Sequence, residues 1–232
     1  MSEKTDKLRG IDRLPIFPLP LVLLPNEMLP LHIFEDRYQT MLADVSRTGN
    51  MFGIIHFESA EAFTDRPETG TIGCVAEIRE NKDLGDGRAN IVTLGTVRFR
   101  LLNYADAGTP YLMGEIEFFE DVPVNAENLE SLANETFELF ERVARAAFSL
   151  SGNRGNLPEI SRTDPESFSF LTAAAFSFDN GLKYQLLQTT STVERLERLR
   201  EVLVKAAHEL ESGAEIQKAA KTNGHINKKI EL

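Results

Sequence analysis

The side chains able to do chemistry are few and widely spaced: four histidines, His32, His56, His208 and His225, and one cysteine, Cys74. A zinc-hydrolase helix needs two histidines one turn apart with a glutamate beside the first, and His208-Glu209 has no second histidine at that distance. His32 and His56 stand in apolar runs, the setting of packed or hydrogen-bonded structural histidines; a metal pair would require the fold to bring them together. Cys74 falls on the apolar face of an alternating stretch, where a free thiol behaves as a small hydrophobe rather than a nucleophile. A single cysteine also excludes an internal disulfide and any multi-cysteine zinc site. The chain has no G-x-x-x-x-G-K-[ST] phosphate loop and no G-x-S-x-G nucleophile elbow. Gly85-Asp86-Gly87 lacks the third glycine of a dinucleotide fingerprint and sits between two strands. No catalytic residue, cofactor or metal is therefore expected. Arg98 and Arg100 alternate with Val97, Phe99 and Leu101, so they are expected to point outward, as a solvated face or an anion site. The acidic loop Glu58–Glu68 is read as solvated, with recruitment of a basic partner as the sharper alternative.

The elements that position these residues are organised around Leu14–Tyr38, which sets five prolines (Pro15, Pro18, Pro20, Pro25 and Pro30) among Leu, Ile, Val and Phe. Proline lacks the N–H that a sheet ladder needs, so it belongs at strand starts, edges and bulges, and it keeps its neighbours extended. The run is too interrupted for a membrane helix, which needs about 20 unbroken apolar residues. It predicts two short buried strands, Leu14–Leu19 and Leu29–Phe34, joined by a proline-pinned crossing. In that crossing Leu21, Val22, Leu23, Leu24 and Met28 are large and apolar. They are the candidate protein-contact residues, unless they plug the core.

Beyond it, Tyr38, Met41, Leu42 and Val45 have helical spacing, and Gly49-Asn50 suits a helix end. Met51–Phe57 reads as a strand. Thr71–Arg79 alternates Ile72, Cys74, Ala76 and Ile78 on one face. Leu84-Gly85-Asp86-Gly87 is a hairpin turn, followed by strands Ala89–Leu94, Val97–Tyr104 and Tyr111–Phe119. Near residue 123 the period changes from two to 3.6. Asn128–Leu150 carries Leu129, Leu132, Phe137, Phe140 and Val143 on one stripe. Asp164-Pro165 starts a further helix, Asp179-Asn180-Gly181 breaks it, and a short helix carries Leu182, Leu186 and Leu187. Ser191 with Glu194 forms a capping box for a last helix with the seam Leu196, Leu199, Leu203, Ala207 and Leu210. The expected organisation is a disordered leader over 1–13, a β-rich part over 14–122, a helical part over 123–211 and a polar tail over 212–232.

The chain has 232 residues and a net charge of −11, with its one basic cluster, Lys228–Lys229, in the tail. Nucleic-acid binding draws most of its affinity from phosphate neutralisation, so this balance disfavours nucleic acid and anionic membrane as partners. No signal peptide precedes the apolar run, and the cytosol is the expected compartment.

Four stretches resemble the N-terminal substrate-binding domain of Lon proteases, in its stand-alone form. They are Leu14-Pro15-Ile16-Phe17-Pro18-Leu19 with Leu23-Leu24-Pro25 and Leu29-Pro30-Leu31; Gly70-Thr71-Ile72-Gly73; Asp86-Gly87 with Val92–Arg100; and Asp164-Pro165 with the helices running into Thr192–Leu199. Together they span about residues 14–211. The resemblance implies an α+β fold, a PUA-like β pseudo-barrel followed by a helical bundle. It also implies recognition of other proteins, as unfolded or client segments, with a separate ATPase or protease as a further partner class. The ATPase and serine–lysine protease modules of Lon follow this domain, and the sequence stops before either would begin. Three readings stand at this point: a non-catalytic protein-recognition module, a small hydrolase or protease-associated enzyme, and a PUA-like RNA-binding protein.

Overall fold

The computed structural model describes residues 8–58, 66–123, 126–151, 162–176 and 178–223. Six strands and five helices follow one another: β1 (Arg13–Leu19), β2 (Met28–Ile33), α1 (Asp36–Thr48), β3 (Met51–His56), β4 (Ile72–Asp83), β5 (Ala89–Ala105), β6 (Leu112–Phe119), α2 (Ala126–Leu150), α3 (Pro165–Ala175), α4 (Asn180–Gln188) and α5 (Thr192–Asn223). The chain divides into a β unit, residues 1–122 with 170–190, and a helical unit, residues 123–169 with 191–232. A boundary thus falls at 122/123, and the segment 170–190 returns to the β unit.

In the β unit the sheet order is β2-β5-β4-β3-β1-β6, and β5 also pairs with β6, which closes the sheet on itself. β1 runs parallel to β3 through Ile16–Leu19 and antiparallel to β6 through Arg13–Ile16. Each half of β1 is therefore paired on one side only. Pro15 and Pro18, which have no N–H to give, sit in those one-sided halves. Leu14, Ile16, Ile55, Val75, Phe99, Leu101 and Ile116 fill the interior. Gly73 lies opposite Phe99 in the ladder, and a Cβ there would run into the Phe99 ring and the Ile54 carbonyl. The second face of β1 and β3 is covered as well: the Phe17 ring lies 3.9 Å from the Tyr38 ring of α1, tilted by 32°, next to Phe52. Both faces being buried explains why these strands read as near-continuous apolar runs. Gly49, at φ 141°, ends α1 by donating its N–H to the Val45 carbonyl.

Three expectations need correction here. Ala89–Leu94 and Val97–Tyr104 are one strand, β5. Gly95 joins them: its carbonyl accepts from Asn26 N at 2.8 Å, its N–H donates to Glu27 O at 2.8 Å, and a Cβ would overlap the Leu24 carbonyl. The first part of β4 does not alternate, since Ile72 through Ala76 are all buried. Arg98 does not point to solvent. It is 2% exposed, ion-paired with Asp121, and donates to Leu187 O at 3.1 Å and Thr189 O at 2.7 Å. Its guanidinium also lies over the rings of Phe119 and Phe170. Arg100, by contrast, is exposed and donates to Gly70 O at 3.2 Å.

Cys74 is fully buried, and burial pushes its thiol from 9.0 up to about 12. The folded pKa is raised, so the contribution to stability is whole below the ordinary value and is lost as the pH climbs towards the folded one. At pH 8 the folded protein is expected to hold about a thousand-fold less thiolate than an exposed cysteine. Iodoacetamide labelling followed by mass spectrometry should thus modify Cys74 only after denaturation; rapid native labelling would contradict its placement.

In the helical unit, Phe137, Phe168 and Leu196 form the core, with Leu129, Leu132, Ala133 and Phe140 packed against it. Asp164 caps α3, accepting from Ser167 N at 2.9 Å. Ser191 caps α5 through Glu194 N at 3.2 Å, but the Glu194 carboxylate turns to Arg198 instead of closing the capping box. Leu196, Leu199, Leu203 and Ala207 are buried as the seam requires. Arg195 is buried beside them, donating to Ser169 Oγ at 2.7 Å. α5 runs to Asn223, into the stretch over 212–232 expected as a polar tail. The one glycine costs about 1 kcal/mol, which the following Ala, Glu, Gln and Lys residues tolerate as strong helix formers.

Candidate functional site

The crossing segment between β1 and β2 is held rigidly. Asn26 adopts φ 64°, the left-handed conformation that asparagine tolerates. Leu24 N donates to Glu27 Oε2 at 2.9 Å, and Lys183 Nζ of α4 pairs with Glu27 Oε1 at 2.6 Å. Asn180 Nδ2, also on α4, donates to Pro20 O at 3.0 Å. Val22, Leu23 and Leu24 are buried at 3%, 1% and 0% exposure and Leu21 is half-buried, whereas Met28 is 53% exposed. The candidate contact set is corrected accordingly. Val22, Leu23 and Leu24 plug the β-unit core, just ahead of a turn closed by Glu27 N donating to Leu24 O and tied to Gly95 through Asn26 and Glu27, and Met28 alone of the five stands open.

β2 itself is not the buried strand expected from its composition. It pairs with β5 only, through Met28↔Leu94, Pro30↔Val92 and His32↔Asn90, so its other edge carries no partner strand among the described residues. Along β2 exposure alternates, and Met28, Pro30 and His32 face solvent, with Phe34 beyond the strand end at 59% exposure. Period-two alternation carries these residues on one face. The His32 ring stacks 5.8 Å from Phe34, and His32 Nδ1 lies 2.7 Å from Asn90 Oδ1. Gln39 of α1 donates to Phe34 O at 2.9 Å and fixes the end of the strand. The next row of the same face comes from β5 and β4, where Val92 pairs with Glu80 and Asn90 with Lys82. A groove of about 550 Å³ runs across Pro30, His32, Val92, Asn90, Glu80 and Lys82. Its one carboxylate and one ammonium leave it without net charge. Pro30 removes one edge donor, the device by which exposed edges resist indefinite self-pairing.

Among the described residues this face presents no nucleophile held by a base. His56 lies elsewhere, 6.2 Å from the Tyr184 ring and 3.6 Å from Glu58, with its Nε2 buried and not hydrogen-bonded, whereas His32 sits against Asn90 and Phe34. Among the described residues no group of three or more His, Cys, Asp or Glu could hold a metal ion. No helix among them is long and apolar enough to cross a membrane. Of the acidic loop, residues 59–65 fall outside the described residues, as do His225 and Lys228–Lys229. The sequence reading missed that Phe34 is exposed and that Val92 and Leu94 are only half-buried. The signal was the period-two spacing of Met28, Pro30, His32 and Phe34, which a strand uses only when one of its faces differs from the other.

The family model of the ATP-dependent protease La (LON) substrate-binding domain matches residues 13–205. The chain belongs to this family. The LON match takes in both the β unit and most of the helical unit. Lon protease 2 of Myxococcus xanthus is 28% identical over 218 residues, covering 90% of this chain and 25% of the protease. Lon protease 1 of Thermus thermophilus is 25% identical over 196 residues, covering 83% of this chain and 24% of that protein. The LON chain thus spans about a quarter of the length of these relatives. A solved Lon N-terminal domain protein from Xanthomonas campestris aligns with TM-score 0.58 at 26% identity, over 82% of this chain and 97% of that one. The N-terminal domain of the Mycobacterium avium complex Lon protease aligns with TM-score 0.60 at 20% identity, over 84% of this chain and 98% of that one, a likeness of fold. The α+β architecture is therefore that of Lon N-terminal domains.

Proposed function

We propose that this LON domain is a recognition module that holds extended, apolar segments of other proteins on the outward face of β2, β5 and β4, and that it performs no chemistry of its own. The observation that carries the reading is the exposure of Met28 on β2 and of Phe34 just past its end, at 53% and 59%, where the second edge of β2 has no partner strand among the described residues. Large apolar groups beside open backbone donors and acceptors suit a client that is itself extended, because main-chain bonds give affinity and alternate side chains give selectivity. The groove has no net charge and the chain as a whole carries −11, which favours unfolded protein over nucleic acid. The same reading sets its work in the cytosol, where the Cys74 thiol stays reduced, and beside an ATPase or protease that acts on what it binds.

The test is binding of a fluorescent, permanently unfolded protein, followed by anisotropy. The double substitution Met28→Ser and Phe34→Ser should weaken it about tenfold or more, as loss of anchor residues does. Both side chains are exposed, so stability should stay within about 0.5 kcal/mol of the parent. A double variant that binds the client as tightly as the parent would overturn the reading.

A further inference from the structure

In an antiparallel ladder the residues that exchange bonds with one neighbour alternate with residues whose N–H and C=O groups face the other way. Glu27 O accepts from Gly95 N at 2.8 Å and Leu29 O accepts from Thr93 Oγ1 at 3.0 Å, so the odd-numbered positions of β2 address β5. Met28, Pro30 and His32 therefore turn their backbone groups to the edge that no described strand covers. Pro30 has no N–H to lose there, as proline on an edge strand requires. The stretch Met28–Phe34, reading MLPLHIF, is also a near-palindrome about Leu31 and carries no Asp, Glu, Lys or Arg. About a two-fold axis at Leu31, an antiparallel second copy sets Leu31 against Leu31, Leu29 against Ile33, His32 against Pro30 and Met28 against Phe34. The His32 N–H then meets the Pro30 carbonyl of the other copy, twice by symmetry. Met28 and Phe34, 53% and 59% exposed, meet as a sulfur–aromatic pair. One position further out Glu27 faces Glu35, but Lys183 holds the first at 2.6 Å and Arg37 the second at 2.9 Å, so the ends of the seam do not repel.

We propose that a second copy of this chain pairs antiparallel with β2 about Leu31 and caps the edge until an extended client displaces it. The displacement rests on the client-binding reading above; the pairing does not. The interface is isologous, so one pairing uses up both β2 edges and cannot extend into a fibre. Neighbouring symmetric registers lose the match. An axis at Pro30 sets two prolines face to face with no N–H between them, and an axis at His32 sets Met28 against Asp36. In the register about Leu31 the missing Pro30 N–H removes one bond from each central pair, which keeps the association reversible. A seam of one strand per copy is smaller than a stable interface, which buries about 1,200–2,000 Å². The dimer is therefore expected with a Kd of about 0.1 mM, and the open edge prevails in dilute solution.

The experiment joins sedimentation equilibrium of the whole chain with cysteine cross-linking. Between about 5 µM and about 1 mM the parent should pass from monomer towards dimer. Pro30→Ala, which returns an N–H at an exposed position, should tighten the dimer about tenfold. Leu31→Cys, on the axis, should form a disulfide with its counterpart on mild oxidation, because directly opposed strand residues lie within disulfide reach. Met28→Cys should not cross-link to itself but should cross-link to Phe34→Cys when the two variants are mixed. Cys74 is buried and gives no background. An excess of a permanently unfolded protein should slow the Leu31→Cys cross-link. A parent that stays monomeric throughout and still binds the unfolded protein would overturn this inference and leave the client-binding reading standing. The pairing is overturned as well by a Pro30→Ala chain that dimerises no more tightly, or by Met28→Cys cross-linking to itself as fast as Leu31→Cys does. Dimers in the stated register whose cross-linking is unchanged by bound unfolded protein would overturn the placement of the client on β2, and with it the displacement.

Discussion

Replacing Arg98 by methionine is expected to destabilise the β unit by about 3–5 kcal/mol, the usual cost of removing one partner from a buried ion pair. The side chain is 2% exposed and Asp121 is 6% exposed, so water cannot replace the lost guanidinium at the carboxylate. The carbonyls of Leu187 and Thr189 lose their donor in the same step. These partners lie at the end of the sheet and at the end of α4, on the two chain segments that Val122 N and Thr190 O join at 2.9 Å. Loss of Arg98 should loosen both together. All four tyrosines, Tyr38, Tyr104, Tyr111 and Tyr184, belong to the β unit and the chain has no tryptophan, so tyrosine emission reports on this unit alone. In urea the tyrosine transition of Arg98→Met should shift down by more than about 1 M. Combining it with Asp121→Leu should recover part of the loss, because an apolar pair of similar volume carries no desolvation penalty. A tyrosine midpoint unchanged in the single variant would show that Arg98 is not the clamp described.

The second large effect belongs to the helical unit. Phe137 is 7% exposed, its ring centroid 5.5 Å from that of Phe168, with Leu196 in the same cluster and the Arg162 guanidinium over its ring at 4.5 Å. Phe137→Ala should cost about 3–5 kcal/mol, the transfer loss plus a cavity that the surrounding helices cannot fully close. Such a loss is a large share of the roughly 5–15 kcal/mol by which domains are stable. Phe140 is half-buried and meets Phe168 edge-on at 6.1 Å, so Phe140→Ala should cost less. Far-UV circular dichroism, dominated by α2 and α5, should show Phe137→Ala unfolding at lower urea, with a smaller change in the tyrosine transition. Equal midpoints for Phe137→Ala and the parent would mean that the apolar stripe of α2 faces elsewhere.

Much of this architecture is legible in the residues because local chemistry and tertiary packing agree. The change from period two to 3.6 near residue 123 marks the end of the sheet, and Asp164 and Ser191 cap the helices they precede. Asp179, read as a breaker, is also the cap of α4, accepting from Leu182 N at 2.9 Å. What escapes the sequence depends on distant partners. Arg98 reads as a solvated strand position because its acceptors lie 23, 89 and 91 residues away. β5 reads as two strands because the backbone of the proline-rich crossing meets Gly95 from about 70 positions earlier, a bond no local pattern encodes. β2 reads as buried because Leu29, Leu31 and Ile33 resemble a core strand. Only the pairing order shows that it is an edge, and that Met28 and Phe34 are offered to solvent. For the same reason Val22, Leu23 and Leu24, the most apolar part of the crossing, are core plugs, and the open surface lies a few residues further on.

The central claim, that β2 and its neighbours form the client face, is tested most directly by hydrogen exchange over the whole chain with and without a saturating unfolded protein. The account predicts slowed exchange at the β2 amides from Met28 to Phe34 and at Asn90 through Leu94, with α2 and α5 unchanged. Protection confined to the helical unit, with β2 exchanging as freely as before, would contradict it.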